Sequence, residues 1–303
     1  MNILISGGSG LVGRALVEEL SSAGHRCTVL SRTPARVTDM GEGVDVHPWD
    51  AFSSDPLLDL ISHCDAVVHL AGESIGAGRW TAKRKKRILE SRVLSTQAMT
   101  AAVMAVSSPP EVFLQASAVG YYGPQGDAEI GEEASPGDDF LASVCRDWEA
   151  ASEGIAEAGV RRVLLRTGIV LSLSGGALPK MALPFRFFAG GPAGNGRHWL
   201  PWIHLNDEVG AIRFLLEHPT ASGAFNLTAP NPVTNRDFSR LLGQVLHRPS
   251  LLPAPAFGLR LLLGEMADLL LTGQRAVPKR LLDLGYPFRF PDLEPALRDI
   301  FSA

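Results

Sequence analysis

Residues 7–13, Gly-Gly-Ser-Gly-Leu-Val-Gly, constrain this chain more than any other stretch. They follow a short apolar run, Asn2–Ser6, and precede a helical pattern over Leu11–Ala23 whose stripe is Leu11, Ala15, Val17 and Leu20. Gly8, Gly10 and Gly13 stand in G-x-G-x-x-G spacing, while Gly7, Gly10 and Gly13 stand in G-x-x-G-x-x-G spacing. A strand, a glycine turn and a helix in that order bring backbone close to a diphosphate at the helix N-terminus. Unpaired N–H groups and the helix dipole favour negative charge there.

The rhythm continues downstream. Strand-like runs at Arg26–Ser31, Val44–His47, Ala66–Leu70, Val112–Gln115 and Arg162–Arg166 are mostly separated by helical stretches at 56–62, 81–106 and 139–158. Such alternation predicts βαβ units: an α/β, Rossmann-type, doubly wound parallel sheet covered on both faces. After Arg166 come glycine-rich loops at 172–176 and 190–196, a helical piece at 178–188, and strands at 201–205 and 224–227 flanking a helix at 206–217. From Thr234 onward the pattern is mainly helical. The expected division is a nucleotide-binding domain of residues 1–168 with 203–228, and a smaller, mainly helical, substrate-capping portion of 169–202 with 229–303.

The second strand decides which dinucleotide fits. A site selective for NAD places a carboxylate about 20 residues beyond the glycines, on the ribose 2′-OH. Here that place reads Val29-Leu30-Ser31-Arg32-Thr33. A guanidinium at Arg32 accepts a 2′-phosphate through charge-assisted bonds, and Ser31 adds a hydroxyl donor. The expected cofactor is NADP(H).

Composition excludes other classes. The 28 basic and 32 acidic residues leave a net charge of −4, which argues against a nucleic-acid partner. Cys27, Cys64 and Cys145 are few, odd in number and widely spaced, so neither a disulfide scaffold nor a metal site is expected. The N-terminus lacks a signal pattern, and the apolar stretch 257–271 is interrupted by Arg260, Glu265 and Asp268. A cytoplasmic protein without membrane association is the expectation.

Further motifs carry a family resemblance. They include His69-Leu70-Ala71-Gly72, the segment Ala116-Ser117-Ala118-Val119-Gly120-Tyr121-Tyr122-Gly123, and Pro201-Trp202-Ile203-His204-Leu205-Asn206-Asp207. Others are Arg79-Trp80-Thr81, Asp147-Trp148-Glu149, Arg166-Thr167-Gly168, Gly264-Glu265-Met266 and Pro278-Lys279-Arg280-Leu281. Together they resemble an atypical branch of the extended short-chain dehydrogenase/reductases, within the NAD(P)-dependent epimerase/dehydratase family. The resemblance runs nearly end to end and implies hydride transfer involving a small carbonyl or hydroxyl substrate. It implies NADP(H) contacts from Gly7, Gly10, Leu11, Val12, Gly13, Ser31, Arg32, Leu70, Ala71, Gly72 and Glu73. Arg92 takes the place of an asparagine common in the family, either facing the cofactor or capping a carboxylate such as Glu73. Arg166, at a strand's C-terminal end, holds a ligand phosphate or forms a structural ion pair. Relatives often pair, so a homodimer is expected.

The family's catalytic tyrosine with a lysine four residues later is missing. Beyond Tyr121, Tyr122 and Tyr286 the corresponding positions are Gln125, Gly126 and Phe290. Aligning on Glu149 puts Leu141 and Cys145 in the two slots. Ser117 and Tyr121 are the remaining catalytic candidates, Tyr121 having packing beside the cofactor loop as its alternative. The alternative to an enzyme is a non-catalytic NADP(H)-binding sensor or interaction module. The basic run 83–87 is expected on a solvated surface or a subunit contact. Asn206 or Asp207 is expected to cap the following helix, with His204 bonded locally.

Overall fold

Seven short apolar runs pair in parallel. They are β1 (Asn2–Ser6), β2 (Arg26–Ser31), β3 (Asp45–Pro48), β4 (Ala66–His69), β5 (Val112–Ala118), β6 (Arg161–Thr167) and β7 (Gly223–Leu227). Their order in the sheet is β7-β6-β5-β4-β1-β2-β3. The computed structural model describes residues 1–41 and 43–302.

Side chains alternate across the sheet. Ile3, Ile5, Val29 and Leu165 point toward helices α1 (Leu11–Ser22) and α5 (Leu205–Glu217), packing with Leu16, Leu20, Ile212 and Leu215. Leu4, Val67 and Phe113 face the other way, against Met99 and Val103 of α2 (Ala82–Ala105). Helix α3 (Phe140–Ala150) joins that face, where Trp148 Nε1 donates to Thr96 Oγ1 at 3.0 Å. Two boundaries differ from the sequence expectation by three residues or more. β5 runs past Gln115 to Ala118 because Ala116 and Ser117 pair with Leu165 and Arg166. The helix expected over 139–158 stops at Ala150, where Ser152 turns its hydroxyl onto the Gln115 side chain; a 3₁₀ segment then covers Glu153–Ala158.

A third core joins α4 (Leu178–Arg186), α6 (Asn235–Leu246) and α8 (Leu293–Ser302) through Phe185, Phe238, Leu242 and Leu297, with Trp202 among them. Trp202–His204 pairs with Ile169–Leu171, outside the main sheet. Asp207 fastens the C-terminal segment, its two carboxylate oxygens accepting the N–H groups of Arg289 and Phe290 at 2.8 Å each. β1 lies between β2 and β4, so the strand order reverses beside it. A crevice opens at such a reversal, beyond the C-terminal ends of the strands.

Candidate functional site

The loop leaving β1 meets the loop leaving β4 at that crevice. Gly7 has φ +72°, and a Cβ there would lie 2.8 Å from the Leu70 carbonyl. A Cβ on Gly13 would overlap the Gly7 carbonyl oxygen, so the helix can start this close to the strand only with glycine. Gly10 differs: its missing side chain would meet only the Gly7 carbonyl oxygen, at 3.3 Å. Gly10 is the N-cap of α1, with no side-chain cap and no acid in the first turn. The N–H groups of Leu11, Val12 and Gly13 are therefore free for an anion, and the cradle fits a dinucleotide diphosphate.

Arg32 is exposed at the end of β2 and forms no ion pair among the described residues. Ser31 is buried and its hydroxyl accepts the Thr33 N–H at 3.1 Å, which leaves its proton to donate. Arg14 bonds the Thr38 carbonyl at 2.9 Å and the Ser9 carbonyl at 3.3 Å, tying the loop after β2 to the glycine turn. Behind the crevice, the buried His69 bridges Ser6 Oγ (2.6 Å) and Ser95 Oγ (3.2 Å). Burial pushes its imidazole down to about 3, so it is neutral and serves as a strut.

Arg92 does not cap the Glu73 carboxylate. It donates to the backbone carbonyls of Glu73 and Ile88, both at 3.0 Å, and stacks 5.0 Å from the Trp148 ring. Gly72 sits against this guanidinium, 3.2 Å from a built Cβ. Burial holds Arg92 below its ordinary range. It thus buttresses the backbone of 72–73. The Glu73 carboxylate belongs instead to Arg84 and Arg87. Lys85 pairs with Glu265 and Lys86 with Glu90, so four members of the basic run are matched by carboxylates.

The other end of the crevice carries a polar row. Ser117, Arg166 and Asn226 are register partners across β5, β6 and β7. Arg166 bonds Glu149 through Nε–Oε1 and Nη2–Oε2, both 2.9 Å. Its Nη1 donates to the Tyr122 hydroxyl and the Glu132 carbonyl at 3.0 Å each. Burial would depress this guanidinium, yet the two bonds to Glu149 hold it above its usual value. Of its two expected roles, Arg166 takes that of a structural ion pair. Ser117, a catalytic candidate in sequence, is buried and donates to Glu149 Oε1 at 2.6 Å, so its hydroxyl belongs to the same network. Tyr122 is sealed between Arg166 and Asn226, and burial pushes its phenol up to about 12.

Leu141 and Cys145 flank Gly120, at 3.5 Å and 3.9 Å from a built Cβ, where the tyrosine and lysine slots were expected. Burial pushes the Cys145 thiol up to about 12, which makes it an inert apolar filler. Tyr121 remains. It is half-buried, its ring lies 3.6 Å under the Arg166 guanidinium, and its hydroxyl makes no hydrogen bond among the described residues.

Elements of the C-terminal half close on this crevice. Gly176 touches Leu11 at the start of α1, and Lys180 Nζ donates to the Gly76 carbonyl at 3.1 Å. His204, not Asn206 or Asp207, caps α5: its Nδ1 accepts the Asn206 N–H at 3.0 Å while its ring packs 4.1 Å from Phe290. The Arg166–Glu149–Ser117 cluster was missed by sequence reasoning. Its one available signal was an arginine at a strand end opposite a glutamate on the preceding helix.

Comparison with known proteins agrees with this geometry. Residues 3–228 match the model of the NAD dependent epimerase/dehydratase family, and residues 254–300 match a domain of unknown function. The epimerase family protein YfhF of Bacillus subtilis is 40% identical over 303 residues, covering 100% of this chain and 98% of its own length. The human epimerase family protein SDR39U1 is 36% identical over the whole of both chains. The human protein's crystal structure with NADPH superposes with a TM-score of 0.90 over 100% of this chain and 99% of that one. A Bacillus cereus UDP-glucuronic acid 4-epimerase structure, 15% identical, covers 100% of this chain and 98% of its own at a TM-score of 0.82, and shows the shared fold. This chain belongs to the NAD dependent epimerase/dehydratase family.

Proposed function

We propose that the chain binds NADP(H) and moves hydride between it and a small carbonyl or hydroxyl substrate, with Tyr121 carrying the proton. The observation that carries this reading is the free Tyr121 hydroxyl at the mouth of the crevice, on a ring held in place by Arg166. The NADP(H) part is supported by Arg32 standing where NAD sites keep a carboxylate, and by the human relative crystallised with NADPH. When bound, the nicotinamide supplies or accepts the hydride. The glycine turn holds the diphosphate, the loop 70–73 buttressed by Arg92 shapes the crevice wall, and Tyr121 exchanges a proton with substrate oxygen.

A second reading, a sensor of NADP redox state without turnover, is favoured by Leu141 and Cys145 filling the usual Tyr/Lys slots. Stereospecifically deuterated NADPH incubated with a panel of carbonyl compounds separates the two. Deuterium appearing in a product, reduced about 10²–10⁴-fold in Tyr121→Phe, is the expected result. Tight NADPH binding with no transfer to any compound would overturn the enzymatic reading in favour of the sensor.

A further inference from the structure

The capping portion carries an apolar surface that no described residue of the chain covers. Phe187 and Phe188 project just beyond α4, where Phe188 turns the backbone at φ +59°. Leu251 and Leu252 lie beside them, because Gly190 bridges Ser250 and the Leu252 N–H bonds the Gly190 carbonyl at 3.1 Å. Helix α7 (Ala256–Leu263) follows directly and buries none of its residues; Phe257, Leu261 and Leu262 stand out from it. These seven side chains are 59–79% exposed. At about 150–250 Å² for a large apolar residue, they amount to roughly 1,000 Å². The largest apolar patch on an ordinary monomer is about 300–600 Å².

Charge identifies the occupant. Although the chain is net acidic, the stretches 174–206 and 238–264 contain no Asp or Glu. What surrounds the patch is basic: Arg186 is exposed, Arg248 lies 4.6 Å over the Phe188 ring, and Arg260 is two-thirds exposed with Asp268 at 3.5 Å. A second copy seated on this face by a twofold axis would bring like guanidinium groups together, Arg260 alone of the three having an acid, Asp268, beside it. An anionic bilayer surface matches both features. Phe and Leu enter the boundary between headgroups and acyl chains while arginines meet the phosphates.

We propose that this face, 187–188 with 251–262, docks the protein on anionic phospholipid membranes as a peripheral protein. No helix among the described residues is long and apolar enough to cross a membrane. The expectation of no membrane association rested on that absence of a span, and lying on a surface requires less.

The test is cosedimentation of the full chain with vesicles of phosphatidylcholine alone and of phosphatidylcholine with phosphatidylglycerol. Binding is expected only to the anionic vesicles and is expected to be lost at high salt. Phe257→Glu with Leu261→Glu should abolish it, and Arg186→Glu with Arg248→Glu should weaken it about tenfold or more. NADPH titration of each variant confirms that the fold is intact. A chain that stays in the supernatant with anionic vesicles at low salt overturns the proposal. So does a concentration-dependent dimer in velocity sedimentation that Leu261→Glu dissolves, since the patch would then be occupied by a second copy.

Discussion

Replacing Arg166 by Met and Glu149 by Leu, singly and together, tests whether the polar row beneath Tyr121 is one unit. Both side chains are at least nine-tenths buried, and the guanidinium makes four bonds, two of them to Glu149. Removing either partner leaves the other charge buried and uncompensated, a cost of about 3–5 kcal/mol. For a chain of this length, about 4 kcal/mol lowers Tm by roughly 6 °C. The double variant removes both charges and replaces them with apolar volume, so it should sit well above the sum of the single losses, with a coupling of about 2 kcal/mol or more. Urea unfolding of the four proteins supplies the cycle. Additive single effects, or single variants within about 0.5 kcal/mol of the parent, would refute the reasoning, because a solvated pair behaves that way.

Three further outcomes are expected. Gly10→Ala should keep the parent Tm and lose NADPH affinity by about tenfold or more, whereas Gly13→Ala should lower Tm; equal effects of the two on both thermal melting and NADPH titration would contradict the cradle. Arg32→Asp should shift the NADPH/NADH affinity ratio toward NADH by at least tenfold, since each charge-assisted bond to the 2′-phosphate contributes about 1.5–3 kcal/mol, and an unchanged ratio would count against that role. Burial pushes Glu208 up to about 8, with Thr167 Oγ1 at 2.8 Å from one carboxyl oxygen and no partner on the other. Its folded pKa lies above the unfolded one, so its cost is absent below about pH 4.5, grows as pH rises toward 8, and then levels off at several kcal/mol. Glu208→Gln should raise stability most at pH 8 and flatten the profile between pH 5 and 8; parallel profiles for the two proteins would rule this out.

Local chemistry made part of the site legible. The turn 7–13 could be read because sterics dictate glycine where strand and helix touch, and Arg32 because a short loop fixes its distance from the turn. The Leu141 and Cys145 substitutions could be read because one helix carries both. The Glu149 partner of Ser117 and Arg166 was not legible, for the opposite reason. Their partners are set by the pairing of β5 with β6 and by α3 packing across them, and no local spacing encodes either. The aromatic residues near Phe185 show the same dependence on distant contacts. Phe185 enters the core while Phe187 and Phe188, two and three residues on, face solvent; the bend between them depends on the bridge to Ser250.

The loss of the Tyr/Lys pair changes what the end of β5 can do. Four groups there carry a transferable proton: Ser117, Tyr121, Tyr122 and Cys145. Ser117 is bonded to Glu149, Tyr122 is shut between Arg166 and Asn226, and Cys145 is held protonated by burial. Tyr121 alone combines partial exposure with an unengaged hydroxyl. A lysine in the usual place would orient both the tyrosine and the nicotinamide ribose; here an apolar pair fills that space, and Arg166 fixes the phenol from below through its ring. Under the proposed function, the buried ion pair holds Tyr121 in place without itself touching substrate. Four of the five guanidinium N–H groups of Arg166 are bonded within the network, and under the proposed function the cation keeps Tyr121 in one orientation.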